Sequence, residues 1–328
     1  MKIEENGVFS SHFKEGKDSD GTCVETQRNV YRDTNAVPRN FDSTTLHLGL
    51  KEGQIASRIL TVGCPGRAGL IAKVLDKSSP IFSHTSPRGF TTYTGTFERT
   101  RVSIIAIGMG MPMMDFLVRE ARQLVSKPLL ITRFGTCGAL CPDVAVGSVV
   151  VASPGSVSVM RNPDAFLPLP TPSGTSADEI DPIATGGAPH VRPPYLVFAP
   201  QLADPVLTQA LLGELKEQLG SEHVRRGMNV SACSFYSSQG RRDAFFDDRN
   251  EDLLDVLRER HPSLASMEME SFQLLALARA SRESVRAAAA SIVVANRPTG
   301  DVCDEARLAY LERAGGEAMV RALVRFED

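Results

Sequence analysis

The sequence predicts an α/β protein, in which one domain has a central mixed, mostly parallel twisted sheet flanked by helices. Two observations support this fold class. Short apolar runs, at 58–63 and 102–107 among others, end in glycine-bearing turns and are followed by a helical spacing of apolar residues. Repetition of strand, turn and helix is typical of sheets with parallel strands at their centre. The chain of 328 residues is also long enough to bury a substantial core.

The predicted elements follow one another in order after a polar start. Residues 1–40 lack a hydrophobic period, which predicts a mobile N-terminal extension before a domain at 41–328. An alternating stretch at 90–97 predicts a hairpin-like piece. Strands are predicted at 58–63, 102–107, 129–132, 148–152, 228–232 and 287–295. Helices are predicted at 68–75, 113–125, 205–219, 249–260, 272–278 and 304–326.

The regular pattern fails between about 160 and 200. Prolines crowd this stretch and alternate with serine, threonine and glycine. Proline removes a backbone donor and breaks both helices and strands. We therefore expect a Pro-rich surface insertion, partly disordered, with little bearing on the chemistry.

Composition argues against several classes of protein. The formal net charge of −3 provides no electrostatic basis for binding nucleic acid. No apolar run approaches the ~20 residues of a membrane span, and the N-terminus lacks the apolar centre of a signal peptide. Six cysteines occur without CxxC or metal-ligand spacing. We expect free thiols, no metal site and a cytoplasmic location.

Arginines lie in or beside two glycine turns that follow predicted strands. Arg67 belongs to the turn after 58–63, and Arg133 begins the turn after 129–132. In α/β sheets ligands bind at the carboxyl ends of strands, and the guanidinium fork matches oxyanions. For each arginine alone, an exposed surface or helix-end position is the better interpretation, because arginine is mostly exposed. Together, with the Thr136 hydroxyl beside them, they favour an anion site.

Two common nucleotide-binding motifs are absent from the sequence. The chain contains no GxxxxGK[ST] sequence, and the turn 108–112 departs from GxGxxG because a proline follows its glycines. A P-loop and a dinucleotide cofactor are therefore both poorly supported, and we expect no cofactor.

A loop near residue 240 carries groups suited to a planar ring. Phe235 offers a flat apolar face, Gln239 an amide, and Arg241 a cation for an oxygen that gains negative charge. This combination suits a pyrimidine that departs as an anion. The alternative is an ordinary loop with a buried phenylalanine.

The acidic segment Glu268, Met269, Glu270 precedes a buried helix. On an extended segment two residues apart share a face, so both carboxylates can line a pocket wall. The alternative is a solvated acidic turn, and the segment by itself does not decide between them.

Taken together, six short motifs resemble the uridine phosphorylases, the pyrimidine branch of the nucleoside phosphorylase superfamily. The motifs lie at 63–67, 87–92, 108–112, 133–138, 235–241 and 267–271. The resemblance runs from His47 to the C-terminal helix and leaves out the extension and the insertion. It implies reversible phosphorolysis of uridine to uracil and ribose 1-phosphate in pyrimidine salvage, with phosphate as co-substrate; the use of deoxyuridine or thymidine is left open.

The resemblance also implies a residue set for each part of the substrates. Phosphate would contact Gly63, Arg67, Arg88, Arg133 and Thr136. The ribose would contact His47, Met269 and Glu270. The base would contact Phe235, Gln239, Arg241 and Arg297. The catalytic residues would be Arg241, Gln239, Arg133 and Thr136, in a homodimer whose partner subunit supplies His47 and Arg88.

The chain departs from the family at a few positions. Cys64 stands where Asp or Ser is common, and Cys137 replaces a hydroxyl residue. Gly89 and Met113 replace ligands of an interface cation, which leaves that cation uncertain. Two alternatives stay open. One is a purine or methylthioadenosine phosphorylase, against which the lack of an aspartate directly after the last strand argues. The other is a catalytically silent nucleoside-binding protein, which the two cysteines favour. Five intact residues argue against it, namely Arg67, Arg133, Gln239, Arg241 and Glu270.

Overall fold

The computed structural model describes residues 36–167 and 192–327. Within these residues ten strands form one mixed sheet, with six α-helices packed around it. The strands are β1 Arg58–Val62, β2 Phe82–Thr85, β3 Thr91–Phe97, β4 Thr100–Ala106, β5 Leu129–Ala139, β6 Val149–Arg161, β7 Tyr195–Leu202, β8 Val224–Ala232, β9 Leu264–Glu268 and β10 Val285–Asn296. The helices are α1 Pro65–Ala72, α2 Met111–Leu124, α3 Pro205–Leu219, α4 Leu253–Arg260, α5 Ser271–Ala280 and α6 Glu305–Arg325.

Parallel pairings hold the centre of the sheet. Strands β4, β1, β5 and β10 pair parallel in that order, and β6, β8 and β9 form a second parallel set. Antiparallel pairings join β2, β3 and β4, add β7 to β6, and connect β9 to β5 and β6 to β10. Because β10 pairs with both β5 and β6, strands β5, β9, β8, β6 and β10 close into a ring. The predicted α/β fold with a mixed, helix-flanked sheet is confirmed.

Two adjacent glycines allow α6 to pack closely against the sheet. A Cβ atom on Gly315 would lie 2.6 Å from Cζ of Phe134 on β5. One on Gly316 would lie 2.4 Å from Cγ1 of Ile71 on α1. Only glycine permits such an approach, since real Cβ contacts of this length do not occur in close-packed interiors. The helix thereby packs directly against β5 and α1.

Two regions near the predicted site are more regular than expected. Strand β5 was expected to end at residue 132 but continues to Ala139, because β10 pairs along its whole length and satisfies its backbone groups. The segment before the helix at 272–278 was not among the predicted strands, but Leu264–Glu268 is strand β9. All five of its residues are buried between β8 and β5, which supply its hydrogen bonds.

The two irregular regions of the prediction lie mainly outside the described residues. The Pro-rich insertion falls largely within 168–191, and its end from Tyr195 onward is strand β7, which pairs with β6. The extension covers the undescribed residues 1–35. Its last residues belong to the ordered domain, because Arg39 Nη2 donates to the carbonyl of Gln123 at 3.1 Å. Among the helices described, none is long and apolar enough to cross a membrane.

Candidate active site

A cavity of about 380 Å³ opens at the carboxyl ends of the central strands. This is a volume typical of small-molecule sites, and the position is the one expected for an α/β sheet. It brings together most of the residues predicted from the sequence. Those that line it are Gly63, Arg67, Arg133, Thr136, Phe235, Gln239, Arg241, Met269, Glu270 and Arg297.

Arg133 dominates one end of the cavity. Its side chain is 3% exposed, and its Nη2 donates to Oε2 of Glu270 at 2.8 Å. Its Nε and Nη1 are buried without a hydrogen-bond partner among the described residues. Buried donors are almost always satisfied in folded proteins, so two unpartnered guanidinium nitrogens on a residue that lines a cavity indicate an anion site. Gly63 lies beside the same guanidinium, since a Cβ there would lie 3.7 Å from Nη2.

Arg67 lies at the same end, but its guanidinium is already engaged. Nε and Nη2 both contact Oε1 of Glu312 on α6 at 2.8 Å, and Nη1 donates to the carbonyl of Phe134 at 3.4 Å. The side chain is 8% exposed, so the pair fixes the guanidinium at the cavity wall. Glu312 did not emerge from the sequence. It is one of several acidic residues on an amphipathic helix, and nothing in its spacing distinguishes it.

The turn between β9 and α5 is stabilised by Glu268. This buried carboxylate accepts hydrogen bonds from five donors, which are Nδ2 of Asn229, Oγ of Ser231, N and Oγ of Ser271, and N of Glu270. Burial and the neighbouring charge of Glu270 raise its pKa, while the donors from Ser231 and Asn229 act in the opposite direction. Glu268 therefore holds the turn that presents the next two residues to the cavity.

Glu270 links the turn between β9 and α5 to the backbone at Gly110 and to the side chain of Arg133. Its Oε1 accepts from the backbone N–H of Gly110, and its Oε2 accepts from Arg133. Met269 lines the wall beside it. Both carboxylates of the acidic segment are buried, so the alternative of a solvated turn is wrong.

The opposite end of the cavity carries the residues predicted to contact a planar ring. Arg241 Nη1 donates to Oε1 of Gln239 at 2.6 Å and to the carbonyl of Phe235 at 3.0 Å. Its guanidinium lies 3.9 Å from the centre of the Phe235 ring, a cation–π contact. Burial, and then the positive charge of Arg297, lower the pKa of Arg241. This end is thus rich in positive charge that a developing anion would neutralise.

Arg297 supports this loop from the end of β10. Its Nη1 donates to the carbonyl of Gln239 at 2.9 Å and its Nη2 to that of Gly240 at 3.3 Å. Burial, together with the charge of Arg258, lowers its pKa. The side chain lines the cavity as predicted, and its hydrogen bonds also hold Gln239 in position.

Two predicted residues do not line this cavity. His47 stacks on Phe116 with the ring centres 3.8 Å apart, and its Nδ1 lies 2.6 Å from Oε1 of the buried Glu120. Arg88 is exposed in the short turn between β2 and β3. That they act in the site of a partner subunit stays a prediction.

Metal-ligating side chains do not cluster in the described part of the chain. No group of three or more histidine, cysteine or acidic residues there could hold an ion. Cys137 lines the cavity but is buried, and burial followed by the charge of Glu268 raises the pKa of its thiol.

The fold and the cavity together define a class. A mixed sheet of ten strands flanked by six helices, with a cavity at its strand ends, is the fold of a nucleoside phosphorylase. The Phosphorylase superfamily matches residues 57–324, and the chain belongs to that superfamily. The resemblance predicted from the six motifs is confirmed.

Similar proteins come from both substrate branches. A structure from work on two uridine phosphorylases of the oomycete Phytophthora capsici is 41% identical with a TM-score of 0.81, and covers 91% of this chain and 100% of that one. The uridine phosphorylase of Thermococcus kodakarensis is 28% identical over 267 residues, 80% of this chain and 82% of the relative.

Purine relatives match over a shorter stretch. The DeoD-type purine nucleoside phosphorylase of Geobacillus kaustophilus is 38% identical over 118 residues, 36% of this chain and 49% of the relative. The match spans about half the length of that curated relative.

Proposed function

We propose that the chain is a uridine phosphorylase, a pentosyltransferase that reversibly converts uridine and phosphate to uracil and ribose 1-phosphate. The observation that carries this proposal is the buried guanidinium of Arg133. Two of its nitrogens, Nε and Nη1, have no partner among the described residues, and the third, Nη2, is hydrogen-bonded to Glu270. One side chain thereby joins an anion position to a carboxylate suited to ribose hydroxyls.

Phosphate is the nucleophile in this reaction, so no side chain need form a covalent intermediate. Arg133, Arg67 and the Thr136 hydroxyl would hold phosphate against the glycine turn at Gly63. Glu270 and Met269 would orient the ribose so that C1′ faces a phosphate oxygen. Positioning of this kind supplies much of the rate when two substrates must meet.

The base end would stabilise the leaving group. As the glycosidic bond breaks, the electron pair moves to the uracil ring and its carbonyl oxygens gain negative charge. Arg241 and Gln239 present a cation and an amide to that edge, and Phe235 packs beside the ring. Arg297 holds Gln239 in place through its backbone carbonyl.

The preference for a pyrimidine rests on the end of β10. That strand ends at Asn296 and is followed by Arg297, so no acid is available there to protonate a purine nitrogen. Asp301 lies farther along, where its carboxylate accepts from the hydroxyl of Thr299. The similarity to uridine phosphorylases over most of the chain supports the same choice.

The complete site would require a second copy of the chain. In this proposal a homodimer in the cytoplasm shares its sites, with His47 near the ribose 5′-hydroxyl and Arg88 near the phosphate of the neighbour. The Nδ1 contact with Glu120 leaves Nε2 of His47 available for such a contact.

Initial rates with a panel of nucleosides test the proposal. Purified protein is mixed with uridine, with and without phosphate, and the fall in absorbance is followed; deoxyuridine, thymidine and inosine are measured in parallel. We expect cleavage of uridine only when phosphate is present. Cleavage of inosine instead would assign the chain to the purine branch. No turnover of any nucleoside would favour a silent binding protein.

A further inference from the structure

Cys64 occupies an unusual position at the anion end of the cavity. It is exposed, it lines the cavity, and it is the residue immediately before α1. Its side chain makes no capping hydrogen bond to the helix that it precedes. The thiol is thus accessible from the space that a bound anion would fill.

A second observation, on Arg133, indicates that this space favours an anion. Arg133 is 3% exposed and lines the same cavity, and its Nε and Nη1 have no partner among the described residues. Gly63, which directly precedes Cys64, lies against the same guanidinium, since a Cβ on it would be 3.7 Å from Nη2. A negatively charged reagent would therefore be drawn towards the thiol.

We propose that Cys64 is a modification site at which the disulfide of a small anionic thiol competes with phosphate. The inference rests on the proposed function. In thiol–disulfide exchange the Cys64 sulfur, as thiolate, attacks one sulfur of the reagent. A new S–S bond forms, the old one breaks, and the second half of the reagent leaves as a thiolate. No net oxidant beyond the disulfide is needed.

The adduct and phosphate exclude each other because they occupy the same end of the cavity. A bound anion beside Arg133 blocks access to the Cys64 sulfur, and a mixed disulfide on Cys64 fills the position of the anion. Reduction of the adduct restores the free thiol, so the modification is reversible.

Other cysteines provide internal references. Cys137 lines the cavity but is buried, with burial raising the pKa of its thiol, which opposes attack. Cys233 is exposed but does not line the cavity, and its sulfur lies 3.1 Å from Oγ of Ser238. Labelling of Cys233 therefore measures the general reactivity of an exposed thiol, which phosphate should not change.

The first test uses glutathione disulfide as the anionic reagent. The full chain is treated with phosphate or with chloride at matched ionic strength, and labelling at Cys64 and Cys233 is followed by peptide mass spectrometry. At a phosphate concentration of about ten times its Kd, labelling of Cys64 should slow by roughly tenfold, as occupancy dictates. Labelling of Cys233 should not change. Equal rates at Cys64 in both salts would overturn the proposal.

A comparison of disulfide reagents of opposite charge provides a second test. Cystamine is a cationic disulfide, so the ratio of Cys64 to Cys233 labelling should be higher for glutathione disulfide than for cystamine. An equal or lower ratio would contradict the role of Arg133 in drawing the reagent.

Activity completes the test. After treatment with glutathione disulfide, the Cys233→Ser protein should lose uridine cleavage and regain it with dithiothreitol, whereas Cys64→Ser should keep its own starting rate. If uridine is cleaved with phosphate but Cys64 labelling ignores phosphate, only this inference fails. If no nucleoside is cleaved, the proposed function fails, and the labelling results still decide whether an anion competes at Cys64.

Discussion

Nη2 of Arg133 donates to Oε2 of Glu270 at 2.8 Å, and both side chains are almost fully buried. The pair joins strand β5 to the turn before α5, and thus the anion end of the cavity to its centre. A buried pair of this kind is costly to break because the remaining charge is left without a partner. The two unbonded nitrogens of Arg133 remain for a ligand.

Replacement of Arg133 by alanine should chiefly impair the use of phosphate. Loss of a preorganised donor typically costs ~10²–10³ in rate, and we expect that fall in kcat/KM for phosphate. Arg133→Lys should show an intermediate loss, because it keeps the charge without the planar fork. Circular dichroism checks that both variants fold. A phosphate saturation curve unchanged from the parent would show that the anion site is misplaced.

Arg241→Ala should lower kcat for uridine by ~10²–10³, since the departing base loses its cation. The KM for phosphate should change little, because the residue lies at the other end of the cavity. The neighbouring Arg242 is exposed and does not line the cavity, so Arg242→Ala is the matched control. Equal turnover in the two variants would exclude the leaving-group role.

Glu312→Gln should weaken phosphate binding without direct contact to the substrate. The change keeps the shape but removes the charge that holds Nε and Nη2 of Arg67. We expect the KM for phosphate to rise roughly fivefold, equivalent to about 1 kcal/mol, with kcat little altered. Glu317 on the same helix pairs with Arg321 instead, so Glu317→Gln should leave the phosphate KM unchanged. If both variants raised the KM for phosphate to a similar extent, the cause would be a general change in α6 and not the loss of the contact with Arg67.

The ionisation of Asp204 should make the free energy of unfolding depend on pH in the acidic range. Burial opposes its ionisation, but the hydrogen bonds from Arg286 and the backbone of Leu207 outweigh burial and lower its pKa below the ordinary value of an aspartate. A lowered pKa stabilises the folded state above the unfolded value, and this stabilisation is lost as pH falls through the folded value. Asp204→Asn keeps a capping side chain, so we expect it to be about 1 kcal/mol less stable at pH 7.

Urea unfolding of the Asp204→Asn and parent proteins checks the sign. The difference in unfolding free energy should shrink as pH falls below about 4, because the carboxylate then begins to take up a proton in the unfolded protein while it stays ionised in the folded one. A difference that grows in acid would contradict the assignment.

Gly315→Ala should destabilise the fold through α6. The new methyl group would meet Phe134 at 2.6 Å, and overpacking of this kind costs about 1–3 kcal/mol. Gly213 on α3 is exposed, and a Cβ added to it would meet nothing within 4 Å, so Gly213→Ala should stabilise by about 0.5–1 kcal/mol. Thermal melts of the two variants that shift in the same direction would refute the packing argument.

Much of the site could be predicted because strand ends position residues predictably. Arg67 and Arg133 follow predicted strands, and the carboxyl ends of parallel strands meet at one edge, so their convergence follows from the fold class. Glu312 could not be found in this way. Its contact with Arg67 depends on how closely α6 approaches, and that distance depends on two glycines whose packing role is visible only in three dimensions.

The fold was predictable where a segment carries its own hydrophobic pattern. The run of small apolar residues predicts strand β10, and the helical spacing of apolar residues predicts helix α6. The second half of β5 does not, because its glycines and threonine are typical of a turn and only pairing with β10 makes them a strand. Strand β7 was hidden by the prolines around it.

The identity of the sugar product tests the central claim most directly. Uridine and phosphate are incubated with the protein and followed by phosphorus NMR, with uracil measured on the same samples. If the cavity brings phosphate to C1′, ribose 1-phosphate should form in equal amount with uracil. Uracil released with free ribose, and no new phosphorus signal, would contradict the account, because water rather than phosphate would then be the nucleophile.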